Sequence, residues 1–134
     1  MVLDASITVG LFFEEIQPDL VEHVASIMAG EAAAIVPGIW WFEIRNVLLT
    51  GIRRNRTSED RARQFLAALA NASIEIHDRS NDLDVFDLAL KHRLSFYDAC
   101  YLELAIREKS SLATLDNALA KAAVSEGVRL IAAP

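Results

Sequence analysis

The chain has 134 residues, a single cysteine and a formal net charge of −6, and 53% of its residues are hydrophobic. That length suits one domain, residues 1 to 134, able to bury about two-thirds of the surface its unfolded chain exposes. Cys100 alone excludes an internal disulfide and, within an apolar run, reads as a small buried hydrophobe suited to a reducing cytoplasm. The apolar run Ala5 to Phe13 lacks a basic flank and is too short for a span, so neither a signal peptide nor a membrane segment is expected.

In chain order, Val2 to Ser6 reads as a buried strand. Pro18 to Ala29 has helical periodicity, with Pro18 in the first turn and Gly30 as the C-cap. Ala33 to Val36 is a second strand, closed by Pro37 and Gly38. Helices follow over Ile39 to Arg54 and Ser58 to Asn71, the second with Thr57 and Asp60 at capping-box spacing. Ile74 to His77 is a third strand. Helices then open at Ser80 and Ser95 and run to His92 and Lys109. Leu112 to Leu115 is a fourth strand, Asn117 to Glu126 a helix and Val128 to Ile131 a last strand.

Short strands separated by helices predict an α/β fold of three layers, with a mostly parallel central sheet of about five strands and helices on both faces. Ligands of such sheets bind beyond the carboxyl ends of the strands. Asp4 and Asp116 fall on that edge, and Glu43 and Asp98 lie near the starts of helices that rise from it. Two carboxylates about 4 Å apart repel by roughly 4 kcal/mol at an effective dielectric near 20, so a cluster of them calls for a proton or a cation. An all-oxygen donor set favours Mg²⁺ or Mn²⁺.

Each acid also has a plainer reading. Asp116 precedes a helix and suits an N-cap, and Asp98 in a first turn suits the helix dipole. Asp4 fits a turn after a strand. Glu43 stands among Trp40, Trp41, Phe42 and Ile44, where a structural role requires pairing with Arg45 or another arginine.

Basic charge is unevenly spread. Arg45, Arg53, Arg54, Arg56, Arg61 and Arg63 share one stretch with only Glu59 and Asp60 as acids. Such a stretch is either a solvated helix end or a phosphate-contacting patch. Trp40, Trp41, Phe12, Phe13 and Phe42 can stack bases but more simply fill a core or an interface. The hydrophobic excess points to a covering partner chain. His23, His77 and His92 have no metal-ligand spacing, and there is neither a nucleophile motif nor a glycine-rich phosphate loop.

Four segments come in a telling order: Val2-Leu3-Asp4-Ala5-Ser6, Trp41 to Leu48 around Glu43, Ser95-Phe96-Tyr97-Asp98-Ala99-Cys100-Tyr101, and Leu112-Ala113-Thr114-Leu115-Asp116. Together they resemble the PIN domain, most closely the VapC toxins of toxin-antitoxin pairs. The resemblance covers nearly the whole chain. It implies a cytoplasmic Mg²⁺- or Mn²⁺-dependent endoribonuclease with Asp4, Glu43, Asp98 and Asp116 as metal-holding catalytic acids. Ser6 and Thr114 become supporting hydroxyls, and the uneven basic charge makes Arg45, Arg53, Arg54 and Arg56 the candidates to hold RNA phosphates. It also implies a homodimer and a cognate antitoxin protein over the active-site groove, with an antitoxin arginine opposing metal binding. The competing readings are a housekeeping RNA-processing nuclease, a non-catalytic RNA-binding or interaction module, and a phospho-acceptor receiver. The receiver requires an adjacent acidic pair after the first strand and a strand-end lysine, which the chain lacks.

Overall fold

The computed structural model describes residues 1–132. In chain order its elements are β1 (Val2–Leu3), α1 (Ala5–Phe12), α2 (Pro18–Met28), β2 (Ala34–Pro37), α3 (Ile39–Arg53), α4 (Glu59–Asn71), β3 (Ile74–His77), α5 (Asp82–His92), α6 (Phe96–Arg107), β4 (Leu112–Ala113), α7 (Asn117–Ser125) and β5 (Leu130–Ala132). The five strands form one sheet in the order β3-β2-β1-β4-β5, and every pairing is parallel. This is the expected three-layer α/β architecture.

The strand order turns around at β1. From β1 the chain first builds outward through β2 and β3, and later through β4 and β5 on the other side. The crevice between β1 and β4 is therefore a topological switch point, the usual ligand position in such sheets. Register places Leu3 beside Ala113, so the next residues, Asp4 and Thr114, leave adjacent strands side by side. The Asp4 amide donates to Ala113 O at 3.0 Å and ties them there.

The central strands β1, β2 and β4 are apolar because both faces are covered, whereas the edge strand β3, Ile-Glu-Ile-His, is partly exposed. Val2, Leu3, Val36 and Leu112 are all buried, as are Ile7, Ile44, Leu102 and Leu104 from the helices that cover them. Each such side chain contributes about 1.5–3 kcal/mol by leaving water. Helix α6 is buried at seven successive positions, Ala99 to Ala105, and packs against β1, β2 and β4. The one charged residue in that buried stretch, Glu103, is paired with Arg107 at 2.8 Å.

Three local expectations are corrected. The first strand ends at Leu3, and the apolar run beyond it is helix α1 rather than strand or loop. Its β-branched Ile7, Thr8 and Val9 imitate a strand, and burial of Ala5, Ile7, Thr8, Gly10 and Phe12 on several sides erases the helical period. The cap of α4 is Ser58, which accepts from the Arg61 amide at 3.2 Å, one residue later than Thr57. Strand β4 ends at Ala113, so Thr114 and Leu115 belong to the turn that leads into α7.

Candidate active site

Asp4 is the centre of the site and is only 5% exposed. It is pinned from both flanking turns. Ser6 Oγ donates to Asp4 Oδ2 at 2.5 Å and Thr114 Oγ1 donates to the same oxygen at 2.6 Å. Each hydroxyl is held in turn: Ser6 Oγ accepts from the Leu115 amide at 3.0 Å, and Thr114 Oγ1 accepts from the Asp116 amide at 2.9 Å. Burial pushes the Asp4 carboxyl above the usual aspartate range and the Asp98 charge pushes it further, against the pull of the two hydroxyls and the Ala5 amide.

Glu43, half-buried on α3, faces the same place. Its Oε2 accepts a hydrogen bond from the hydroxyl of Tyr101 on α6. Desolvation raises its carboxyl first, and the charges of Asp4 and Asp98 raise it as well. Asp98 sits in the first turn of α6, where Ser95 Oγ caps its amide at 3.0 Å and donates to its Oδ2 at 2.8 Å.

The fold thus brings Asp4, Glu43 and Asp98 within electrostatic reach of one another. Asp116 is the exposed N-cap of α7, with Oδ1 accepting from the Leu119 amide at 2.7 Å, and its own amide donates to Thr114 Oγ1, which in turn donates to Asp4. Arg45 does not pair with Glu43. It lies 3.8 Å over the Trp41 ring and donates to Trp41 O at 3.0 Å. Arg56 pairs with Glu15 at 2.8 Å and lies over Phe13, while Arg63 pairs with Glu59, so the basic stretch is less free than its sequence suggests. Arg53 and Arg54 are exposed at the end of α3.

A PIN domain model matches residues 1–125 of the chain. The chain belongs to the PIN-domain family. Ribonuclease VapC3 of Pyrobaculum aerophilum is 33% identical to this PIN domain over 124 residues, which span 90% of this chain and 92% of that protein. The crystal structure of PAE2754 from Pyrobaculum aerophilum shares its fold, with a TM-score of 0.69 at 22% identity over 90% of this chain and 82% of that one.

Among the described residues of the PIN domain, no three His, Cys, Asp or Glu side chains form a ready-made cation cage. The site's fit to a divalent ion rests on donor chemistry and charge. Burial shifts Asp4 and Glu43 most, and the groups that act on them are hydroxyls, a backbone amide and other acids, with no lysine or arginine among the described residues acting on either. Cys100 lies on the same helix as Asp98, where burial pushes its thiol up to about 11 and the charges of Glu103, Glu43 and Asp82 add to the rise. Two partners of the acids, Tyr101 and Ser95, lie in the segment around Asp98 that carries the family resemblance, but the sequence alone assigns neither a role. The signal for both is spacing, since each lies three residues from Asp98 along the helix.

Proposed function

We propose that the whole chain acts as a single PIN domain and is a Mg²⁺- or Mn²⁺-dependent endoribonuclease, the toxin of a toxin-antitoxin pair acting in the cytoplasm. The observation that carries this reading is the cluster of Asp4, Glu43 and Asp98 at the switch point of the sheet, where burial and mutual repulsion act without any balancing cation. The likeness to Ribonuclease VapC3 supports RNA as the substrate.

In this reading Asp4, Asp98 and Glu43 hold the ion, and Asp116 joins them directly or through water. A divalent ion held by these acids would supply positive charge and ease deprotonation of a water for in-line attack on the phosphodiester. Ser6 and Thr114 orient Asp4, and Tyr101 orients Glu43. Arg53 and Arg54, with Arg45, contact flanking phosphates, which positions RNA without reading its sequence.

Two surfaces support partners. The cleft of about 450 Å³ between α3 and α4, lined by Leu48, Leu49, Ile52 and Leu66, suits an apolar segment of an antitoxin. On α5, Leu83, Phe86 and Leu90 are 76%, 56% and 67% exposed and suit a homodimer contact. No helix among the described residues is long and apolar enough to cross a membrane.

The test is incubation of antitoxin-free protein with total tRNA and rRNA, with Mg²⁺, Mn²⁺ or EDTA, beside Asp98→Asn. Discrete fragments that require metal and vanish in the variant are expected. A folded protein that cuts none of these RNAs with either metal contradicts the reading and favours a non-catalytic module.

A further inference from the structure

Tyr101 is completely buried, and its ring fills the core beneath the acid cluster. A phenylalanine would fill that space equally well, so the hydroxyl is the part that needs an explanation. It donates to Glu43 Oε2. The same arrangement recurs at the other two acids: Ser6 and Thr114 occupy Asp4 Oδ2, and Ser95 occupies Asp98 Oδ2. Among the described residues the second oxygen of each acid takes no side-chain hydrogen bond. An oxygen that accepts an O–H shares its electron density with that proton and is the poorer donor, so the other oxygen of each carboxylate is the better placed to bind a cation.

Cations differ in how they use carboxylates. Ca²⁺ takes roughly six to eight oxygens in a flexible shell and readily accepts both oxygens of one carboxylate, whereas Mg²⁺ demands a near-octahedral shell with waters and single carboxylate oxygens. Mn²⁺ shares the octahedral oxygen chemistry. A carboxylate with one preferred donor oxygen therefore suits the smaller ions.

We propose that Tyr101 is a positioning residue that restricts Glu43 to one ligating oxygen, and so biases the acid cluster toward Mg²⁺ or Mn²⁺ and against Ca²⁺. This rests on the reading of the acids as metal ligands given above. Tyr101 acts through Glu43 and touches neither the ion nor RNA.

The test measures Mn²⁺ and Ca²⁺ affinities by calorimetry for the wild type, Tyr101→Phe, Glu43→Gln and the double variant, with thermal unfolding in EDTA to verify folding. The wild type is expected to bind Mn²⁺ at least about 10-fold more tightly than Ca²⁺, and Tyr101→Phe to lose about 10-fold in Mn²⁺ affinity, the usual effect of removing a group that orients a ligand. Its Ca²⁺ affinity stays level or rises, so the Mn²⁺/Ca²⁺ ratio falls, and Tyr101→Phe has no further effect in the Glu43→Gln background. An unchanged ratio, or an equal loss in that background, overturns the proposal, because a purely structural hydroxyl would weaken both ions alike. Should Tyr101→Phe unfold, Glu43→Asp withdraws the carboxylate from the hydroxyl by one methylene, and an unchanged ratio there overturns the proposal equally. No RNA enters the measurement, so a protein that shows the expected ratios and cleaves nothing defeats the nuclease reading alone.

Discussion

Thr114 and Asp4, 110 positions apart in the chain, are joined by a hydrogen bond of 2.6 Å in which the threonine hydroxyl donates. Parallel register at the β1/β4 crevice makes them neighbours, and the same hydroxyl accepts from the Asp116 amide, so one atom links two acidic turns. Thr114→Val keeps the shape and deletes both bonds in a fully buried position. The expected loss of stability is about 1–3 kcal/mol, the cost of leaving buried polar groups unpaired. Urea unfolding checks it: the midpoint should fall with an unchanged slope, and an unchanged midpoint would show that the hydroxyl is dispensable.

The acid cluster should cost stability when no metal is present. Glu43 is raised by desolvation and by the charges of Asp4 and Asp98, and Glu43→Gln removes that charge while leaving an oxygen for Tyr101. In EDTA this variant should melt higher than the wild type, by roughly 3–5 °C for each kcal/mol recovered. Its Mn²⁺ binding should weaken. A variant that melts lower in EDTA would mean that Glu43 is held by contacts other than those described.

Acid sensitivity should come in part from the far end of the molecule. Lys91 and His92 on α5 both contact Glu126 at 2.5 Å, beyond the end of α7. The hydrogen bonds from Lys91 and then His92 hold its carboxyl below the ordinary value of 4.5. A depressed folded pKa means that the unfolded chain binds the proton more tightly, so this contribution is complete above pH of about 4.5 and disappears as the pH falls through the folded value. Glu126→Gln should therefore be less stable near neutrality and should lose less on acidification. Parallel stability profiles for the two proteins would rule out the ion pair as a source of acid sensitivity.

The arginines should separate into two groups. Arg53 and Arg54 are exposed at the end of α3, whereas Arg56 is engaged by Glu15 and Phe13. Replacing Arg53 or Arg54 with alanine should weaken RNA binding with little dependence on sequence, and should flatten the log-affinity against log-salt slope by about 0.7 for each lost single-strand phosphate contact. Arg56→Ala should lower thermal stability more than RNA affinity. Equal binding losses at all three positions would show that the Glu15 pair opens for RNA.

Much of this was legible in the sequence because helices and strands alternate and because Asp4, Glu43 and Asp98 each interrupt apolar surroundings. Ile74 to His77 was readable to the residue, since a short Ile-Glu-Ile-His alternation between helices has the period of a strand. Helix α1 was not, because burial on several sides removes the polar face that reveals a helix. Contacts between distant segments were also hidden. The pairing of Glu15 with Arg56 spans 41 positions and that of Tyr101 with Glu43 spans 58, and only the fold brings them together. Asp116 shows the opposite case, in which the plainer N-cap reading describes the geometry and any role at an ion has to be added to it.

The central claim is that the acid cluster directs water, with a divalent ion, onto an RNA phosphodiester. The most direct measurement is cleavage in ¹⁸O-labelled water with Mg²⁺ or Mn²⁺, followed by mass analysis of the product ends. The account predicts metal-dependent fragments that carry one solvent oxygen in a terminal phosphate, with none formed by Asp4→Asn. Fragments that end in a 2′,3′-cyclic phosphate and persist in EDTA would contradict it, because the attacking oxygen would then have come from the RNA itself.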